Sequence, residues 1–310
     1  MKSVNTVLAT LTIALTTAYA HAETSALFLG NSFTFGYGSA TKYYRADSVT
    51  DLNSEGIGGV PALFKSFTDQ TGLDYDVFLE TRGGSGIDFH LENKLGVIGK
   101  RPWDQVVMHG FSTLDSNKPG DPTLLISTAA QMSNFLQSKN PDVEVFLTAT
   151  WSRPDLVYQD DRPWAGTPIE KMALDVRAGY NQAAAGAPAV KAVNGVGEAF
   201  TRAIELGIAD TNPYDGVDLG KIDLWTWDHY HASTYGYYLE ALVVFGSLTG
   251  LDPRSLGDNE CSGHELGMSP NEVKMLQQAA FDQLTIDNQV SAAPLLLTTT
   301  VQPQRCIASK

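Results

Sequence analysis

The chain is poor in cysteine, with two in 310 residues, at Cys261 and Cys306. That count excludes a small scaffold held together by many bridges and a zinc site built on cysteine pairs. No HExxH sequence occurs either, which removes a common helical zinc-hydrolase pattern. Basic residues are few: 21 Lys and Arg face 35 Asp and Glu, for a formal net charge of −14 at pH 7. Such a surface disfavours nucleic acid and anionic membranes as partners, since both require a basic face. The apolar run Val7 to Ala18 is short of the ~20 residues a spanning helix needs. Internal repeats, low-complexity tracts and an obvious interdomain linker are missing as well, and the length suits one large domain with a well-buried core.

What is present at the N-terminus is a leader pattern. Lys2 gives a positive start, Val7 to Ala18 is the apolar stretch, and Ala20-His21-Ala22 fits the small-residue rule for cleavage. The expectation is therefore a signal peptide over 1–22 and a mature protein in the periplasm or the external medium, with no membrane insertion after cleavage. No cysteine follows the cleavage site, which speaks against a lipid anchor. Loss of Lys2 makes the mature chain slightly more acidic still. An oxidising compartment would let Cys261 pair with Cys306 and clip the irregular tail at 290–310 onto a domain spanning 23–289; the alternative is two unpaired thiols.

Apolar strand patterns alternate with helical ones. Strands are expected at Ala26–Leu29, around Tyr75, Val77 and Leu79, at Gln105–Met108, Val143–Ala149 and Ala189–Val193. Helical stripes follow Pro61 and Asp121-Pro122, and Thr167-Pro168-Ile169-Glu170 reads as a capping box with proline at the first helical position. This alternation implies parallel strands joined by right-handed crossovers, with helices on both faces of the sheet and ligands at the carboxyl ends of the strands. Ser32 lies just past the first strand. Asp228-His229-Tyr230-His231 lies just before the apolar helix of Leu239, Leu242 and Val243.

Those residue types have a chemical logic. A serine hydroxyl is a weak nucleophile until an imidazole takes its proton and a carboxylate fixes the tautomer of that imidazole. The spacing of Asp228 and His231 lets the carboxylate reach the nearer ring nitrogen while the other faces Ser32. Asp228, His229 and His231 also offer metal-ligand types in a short cluster, the basis of a rival metal-hydrolase reading. His90 and His264 read as structural or exposed. Trp151, Trp164, Trp225 and Trp227, with Tyr37, Tyr43, Tyr44 and Tyr158, fall in loops at strand ends, either as crevice walls suited to sugar, aryl or short acyl groups or as anchors for long loops. The loops at 36–58, 151–166 and 208–227 exceed ordinary connections, which favours function or lids.

Taken together, Gly30-Asn31-Ser32-Phe33-Thr34, Gly83-Gly84-Ser85-Gly86 and Asp228-x-x-His231, followed by Gly236-Tyr237-Tyr238-Leu239 and Ser247-Leu248-Thr249-Gly250, resemble the blocks of the SGNH (GDSL-type) hydrolases. The resemblance runs from Leu27 to Gly250. It implies an α/β fold of flavodoxin-like type, a three-layer α/β/α sandwich with a central parallel five-stranded sheet, and cofactor-free hydrolysis of carboxylic esters. It further implies Ser32 as nucleophile, His231 as base and then acid, Asp228 as its orienter, and an oxyanion hole from the N–H groups of Ser32 and of Gly84, with Gly86 as the rival. The sequence departs from the family in two places. Asn31 stands where an aspartate is frequent. His109-Gly110-Phe111-Ser112 replaces the usual Gly-x-Asn, putting Ser112 in the asparagine's place, with His109 or no third donor as the alternatives. The expected substrate is a small-molecule or glycan ester. A non-catalytic glycan-binding protein on the same fold is the competing reading of another class.

Overall fold

The computed structural model describes residues 23–291. In chain order it forms β1 (Thr24–Gly30), β2 (Thr50–Asp51), α1 (Gly59–Gln70), β3 (Tyr75–Thr81), α2 (Ile87–Asn93), α3 (Leu95–Ile98), β4 (Gln105–Met108) and α4 (Thr123–Lys139). Then follow β5 (Glu144–Ala149), α5 (Pro154–Val157), α6 (Glu170–Ala185), β6 (Val190–Gly195), α7 (Val196–Glu205), α8 (Thr234–Thr249), α9 (Cys261–Glu265) and α10 (Pro270–Ile286). The segment 1–22 expected to be a leader, the tail beyond 291 and the Cys306 end of the expected disulfide lie outside the described residues.

The strands make one sheet in the order β2-β3-β1-β4-β5-β6, every neighbouring pair parallel. The chain leaves β1 toward β3, then crosses back over β1 to β4 and continues outward. Right-handed crossovers put α1 on one face and α2, α4 and α6 on the other. The α8 helix packs against α1, α7 and α10, which places it in the α1 layer. Its run Tyr237 to Gly246 is buried all round, as an apolar helix without a polar face must be. The reversal of direction at β1 opens a crevice at its carboxyl end, the position where sheets of this type hold ligands.

Five of the six strands coincide with the apolar runs of the sequence. The sixth, β2, makes the sheet six-stranded rather than five-stranded; it is a two-residue edge, paired to Phe78 and Leu79 of β3, too short to carry a period. A second difference concerns α6. Its cap is Ile169, with no side-chain hydrogen bond, because the Thr167 hydroxyl donates to the Trp164 carbonyl at 2.8 Å instead. The capping box that does form is Ser269 with Glu272, ahead of Pro270 in α10.

Candidate active site

Ser32 sits in the turn that leaves β1, and Asn31 is what ties this turn down. Its Nδ2 donates to the carbonyls of Ser85, at 2.7 Å, and Gly110, at 3.3 Å, while its Oδ1 accepts from Phe33 N–H at 3.0 Å. One side chain thus joins the ends of β1, β3 and β4. An aspartate here would offer no donor to either carbonyl. Tyr237, fully buried in α8, lies within hydrogen-bond reach of the carbonyls of Ser32 (3.1 Å) and Tyr37 (3.2 Å).

Asp228 and His231 occupy a tight turn closed by the Trp225–Ala232 bridge and by Thr226 N–H to the His231 carbonyl at 2.8 Å. His229, with φ of 54°, supplies the left-handed step of that turn. Asp228 Oδ1 accepts the backbone N–H groups of Tyr230 (3.0 Å) and His231 (2.9 Å). Its Oδ2 lies 2.6 Å from His231 Nδ1. That pairing puts the proton on Nδ1 and leaves Nε2 as an acceptor, and Nε2 is 2.9 Å from Ser32 Oγ. The structure therefore brings Ser32, His231 and Asp228 into one hydrogen-bonded chain.

Burial pushes His231 below the ordinary imidazole range, the hydrogen bond and charge of Asp228 pull the other way, and the Arg153 cation adds to the lowering. Burial alone would raise Asp228, but the His231 ring and the two backbone donors outweigh it and hold the carboxyl below its usual value. An ionised carboxylate beside a neutral imidazole is the resting state these shifts favour.

Gly84 and Gly86 behave differently. Gly84 is exposed, with φ of 71° and nothing within 4 Å of an added Cβ, a turn glycine chosen for conformation. Gly86 is buried at the start of α2, where a Cβ would come within 2.7 Å of the Phe111 ring. The tight packing that requires a glycine is found at Gly86 and not at Gly84, which favours Gly86, the rival, as the donor position. Among the described residues the N–H groups of Ser32 and Gly86 have no protein partner.

His109 has no N–H to spare. Its Nδ1 faces the Gly110 carbonyl at 3.1 Å and its Nε2 meets the Thr34 hydroxyl at 2.7 Å; complete burial lowers its pKa to about 4. The neutral ring is a support beneath the turn that carries Ser32. Ser112 is buried, and its Oγ accepts Arg153 Nη1 at 3.3 Å, leaving its own proton free to donate. His90 is a second support. It pairs through Nδ1 with buried Glu80 and through Nε2 with the Gly30 carbonyl at 3.1 Å, while Lys94 Nζ stands 3.0 Å from the same carboxylate. His264 is exposed.

The aromatic residues divide. Trp151, Trp164, Trp225 and Tyr44 are buried and act as anchors: Trp151 Nε1 donates to the Tyr230 carbonyl at 3.1 Å and Trp225 Nε1 to the Ser152 carbonyl at 2.9 Å, pinning the His231 turn to the chain beyond β5. Tyr158 is half-buried, its hydroxyl donating to the Thr211 carbonyl at 2.9 Å. Trp227, Tyr43 and Tyr37 are exposed, and the Tyr37 ring is 4.5 Å from that of His231. A cavity of about 350 Å³ lined by Leu114, Trp164 and Gly179 shares no residue with the triad. Both ring nitrogens of His231 are engaged and the His229 ring lies 4.2 Å from that of Tyr214; the described residues contain no cluster of three metal-ligating side chains. Arg153 and Asp155, which flank this turn, carry no sequence signal of their own.

The fold is shared with a DUF4886 family protein. That structure, from Bacteroides uniformis ATCC 8492, superposes with a TM-score of 0.62 at 16% identity, over 87% of this chain and 98% of the other. A protein from Slackia heliotrinireducens described as a candidate SGNH hydrolase gives 0.48 at 20% identity, over 73% of this chain and 100% of that one. The lipase/acylhydrolase from Enterococcus faecalis gives 0.48 at 14%, over 73% and 96%. SGNH hydrolases and GDSL-like lipases are thus among the structural neighbours. No family model matches the sequence, and no curated protein matches it.

Proposed function

We propose that this chain is a serine-dependent carboxylic-ester hydrolase that works through an acyl-enzyme and needs no cofactor. The observation that carries this reading is the His231 ring, with Ser32 Oγ at 2.9 Å from one nitrogen and Asp228 at 2.6 Å from the other. Ser32 Oγ attacks the ester carbonyl as its proton passes to His231 Nε2. Asp228 holds Nδ1–H and stabilises the imidazolium. Collapse of the tetrahedral intermediate expels the alcohol with that proton, and water deacylates the serine by the same route. The unpartnered N–H groups of Ser32 and Gly86 receive the oxyanion, with the Ser112 hydroxyl as third donor. Such donors lower the barrier by several kcal/mol.

The exposed rings of Tyr37, Tyr43 and Trp227 support short acyl or aryl esters and acylated carbohydrate as substrates, since aromatic faces accept both flat apolar groups and sugar faces. The leader at 1–22 supports action after export. A fluorophosphonate probe should label the protein one-to-one, with the adduct on Ser32 by peptide mass mapping. Unlabelled protein, or an adduct elsewhere, would remove the nucleophile.

The pH profile has a definite sign. A base acts only when unprotonated, so kcat/KM should be present above the His231 pKa and lost as pH falls through it. With that pKa lowered from its ordinary 6.5, the acid limb should fall on the acidic side of that value. A limb at or above it, in p-nitrophenyl acetate hydrolysis followed from pH 4 to 9, would contradict the assignment.

A further inference from the structure

Arg153 stands just beyond β5, at the N-terminal edge of α5, with its side chain mostly buried. Its guanidinium is fixed on several sides. Nε and Nη2 fork onto Asp155 at 3.0 and 2.6 Å, and Nη1 donates to Ser112 Oγ at 3.3 Å. Its Cζ lies 3.5 Å from the Tyr230 ring centroid, well within cation–π range. Tyr230 in turn lies against His231, with ring centroids 4.0 Å apart and planes inclined at 36°. Tyr37 covers His231 at 4.5 Å. Asp155 grips the same turn through its backbone, donating N–H to the His229 carbonyl at 3.2 Å.

The His231 imidazole is thus packed against two inclined rings, Tyr37 and Tyr230, the second backed by Arg153. A hydrogen bond to Asp228 fixes one edge of the ring but leaves it free to tilt about that bond; flat neighbours remove the tilt. We infer that Arg153 is a positioning residue: clamped by Asp155 and Ser112, it presses Tyr230 onto His231 and holds the imidazole in line between Ser32 and Asp228. Its charge has a second consequence. The charged groups acting on His231 are Asp228, Arg153 and Asp155, its other neighbours being Tyr230, Tyr37, Phe33 and Ser32. Arg153 opposes protonation of His231 and Asp155 favours it, so the fork sets two opposing charges on a base that burial keeps unprotonated into mild acid.

This inference deepens the esterase reading and rests on it for the kinetic arm, so the test includes an arm that needs no turnover. Histidine-labelled protein, full chain, is titrated by NMR and His231 assigned with His231→Ala. Arg153→Met removes the cation and frees Asp155, so the His231 midpoint should rise by about half a pH unit or more. Asp155→Asn should lower it. Arg153→Lys retains the charge but not the planar fork, so its midpoint should stay near wild type. In p-nitrophenyl acetate hydrolysis both Arg153→Met and Arg153→Lys should lose about 10- to 100-fold in kcat, with KM within about threefold, the pattern of a misaligned base. Midpoints that do not move in Arg153→Met and Asp155→Asn would overturn the electrostatic half of the inference. Full kcat in Arg153→Lys would overturn the positioning half. Turnover surviving Ser32→Ala would instead remove the esterase reading, and the titration would still decide how Arg153 and Asp155 act on His231.

Discussion

Ser32→Ala should abolish ester turnover, with kcat/KM for p-nitrophenyl acetate falling by about 10⁴-fold or more, the range found when a triad nucleophile is removed. The fold should not notice. Ser32 is 6 % exposed and its hydroxyl has only the His231 contact, so the melting temperature should stay within about 2 °C. His231→Ala should cost a comparable factor, because without the base the hydroxyl keeps its proton. His229→Ala is the control. That ring lies beside Tyr214 and makes no contact with Ser32, and its loss should cost under about tenfold. Equal losses at the two histidines would place the requirement in the turn as a whole rather than in one imidazole.

Gly59→Ala should be strongly destabilising, since it combines backbone strain with a backbone clash. Gly59 has φ of 65°, and an added Cβ would fall 2.6 Å from the Thr34 carbonyl oxygen and 2.9 Å from Phe35 Cα. Backbone atoms cannot swing away as a flexible side chain can. Left-handed strain of about 1–3 kcal/mol and overpacking of about 1–3 kcal/mol together give about 2–6 kcal/mol. In a domain of this size that lowers the melting temperature by about 10 °C. The comparison is Gly72→Ala, which shares the left-handed backbone (φ 73°) but meets nothing within 4 Å. Thermal or urea unfolding should separate the two by about 1–3 kcal/mol, the overpacking contribution. Matched costs would show that the contact with Thr34 and Phe35 adds nothing. Because Val60 N–H also donates to the Thr34 carbonyl at 2.9 Å, the push arrives at the turn that carries Ser32, and activity should fall along with stability.

Much of the layout was readable because it follows from strong local patterns. The central strands are apolar runs buried on both faces, the edge strand β6 is buried only in its second half, and the alternation of strands with helices dictates parallel pairing. The Asp228 and His231 pairing was readable because its spacing is local. Other features depend on partners distant in sequence. Thr167-Pro168-Ile169-Glu170 and Ser269-Pro270-Asn271-Glu272 have the same capping pattern, yet only the second forms. Thr167 gives its hydroxyl to the carbonyl of Trp164, whose indole is held in turn by Asp175 at 2.9 Å. Arg153 carries no motif; its importance appears only when the end of β5 meets the His231 turn. The tryptophans gave half a hint. Trp151 and Trp225 do gather at the site, but as buried rods that pin its loops, and exposed ring surface is left to Trp227, Tyr37 and Tyr43.

The two hydrogen bonds of the catalytic imidazole differ in kind. The bond to Asp228 belongs to a turn zipped shut by Trp225 and Ala232, so it travels with that turn as a preassembled cassette. The bond to Ser32 exists only while two distant halves of the chain stay docked. A slight slackening between those halves would leave an intact acid–base unit facing empty solvent, which makes turnover a finer gauge of their alignment than any measure of helix or strand content.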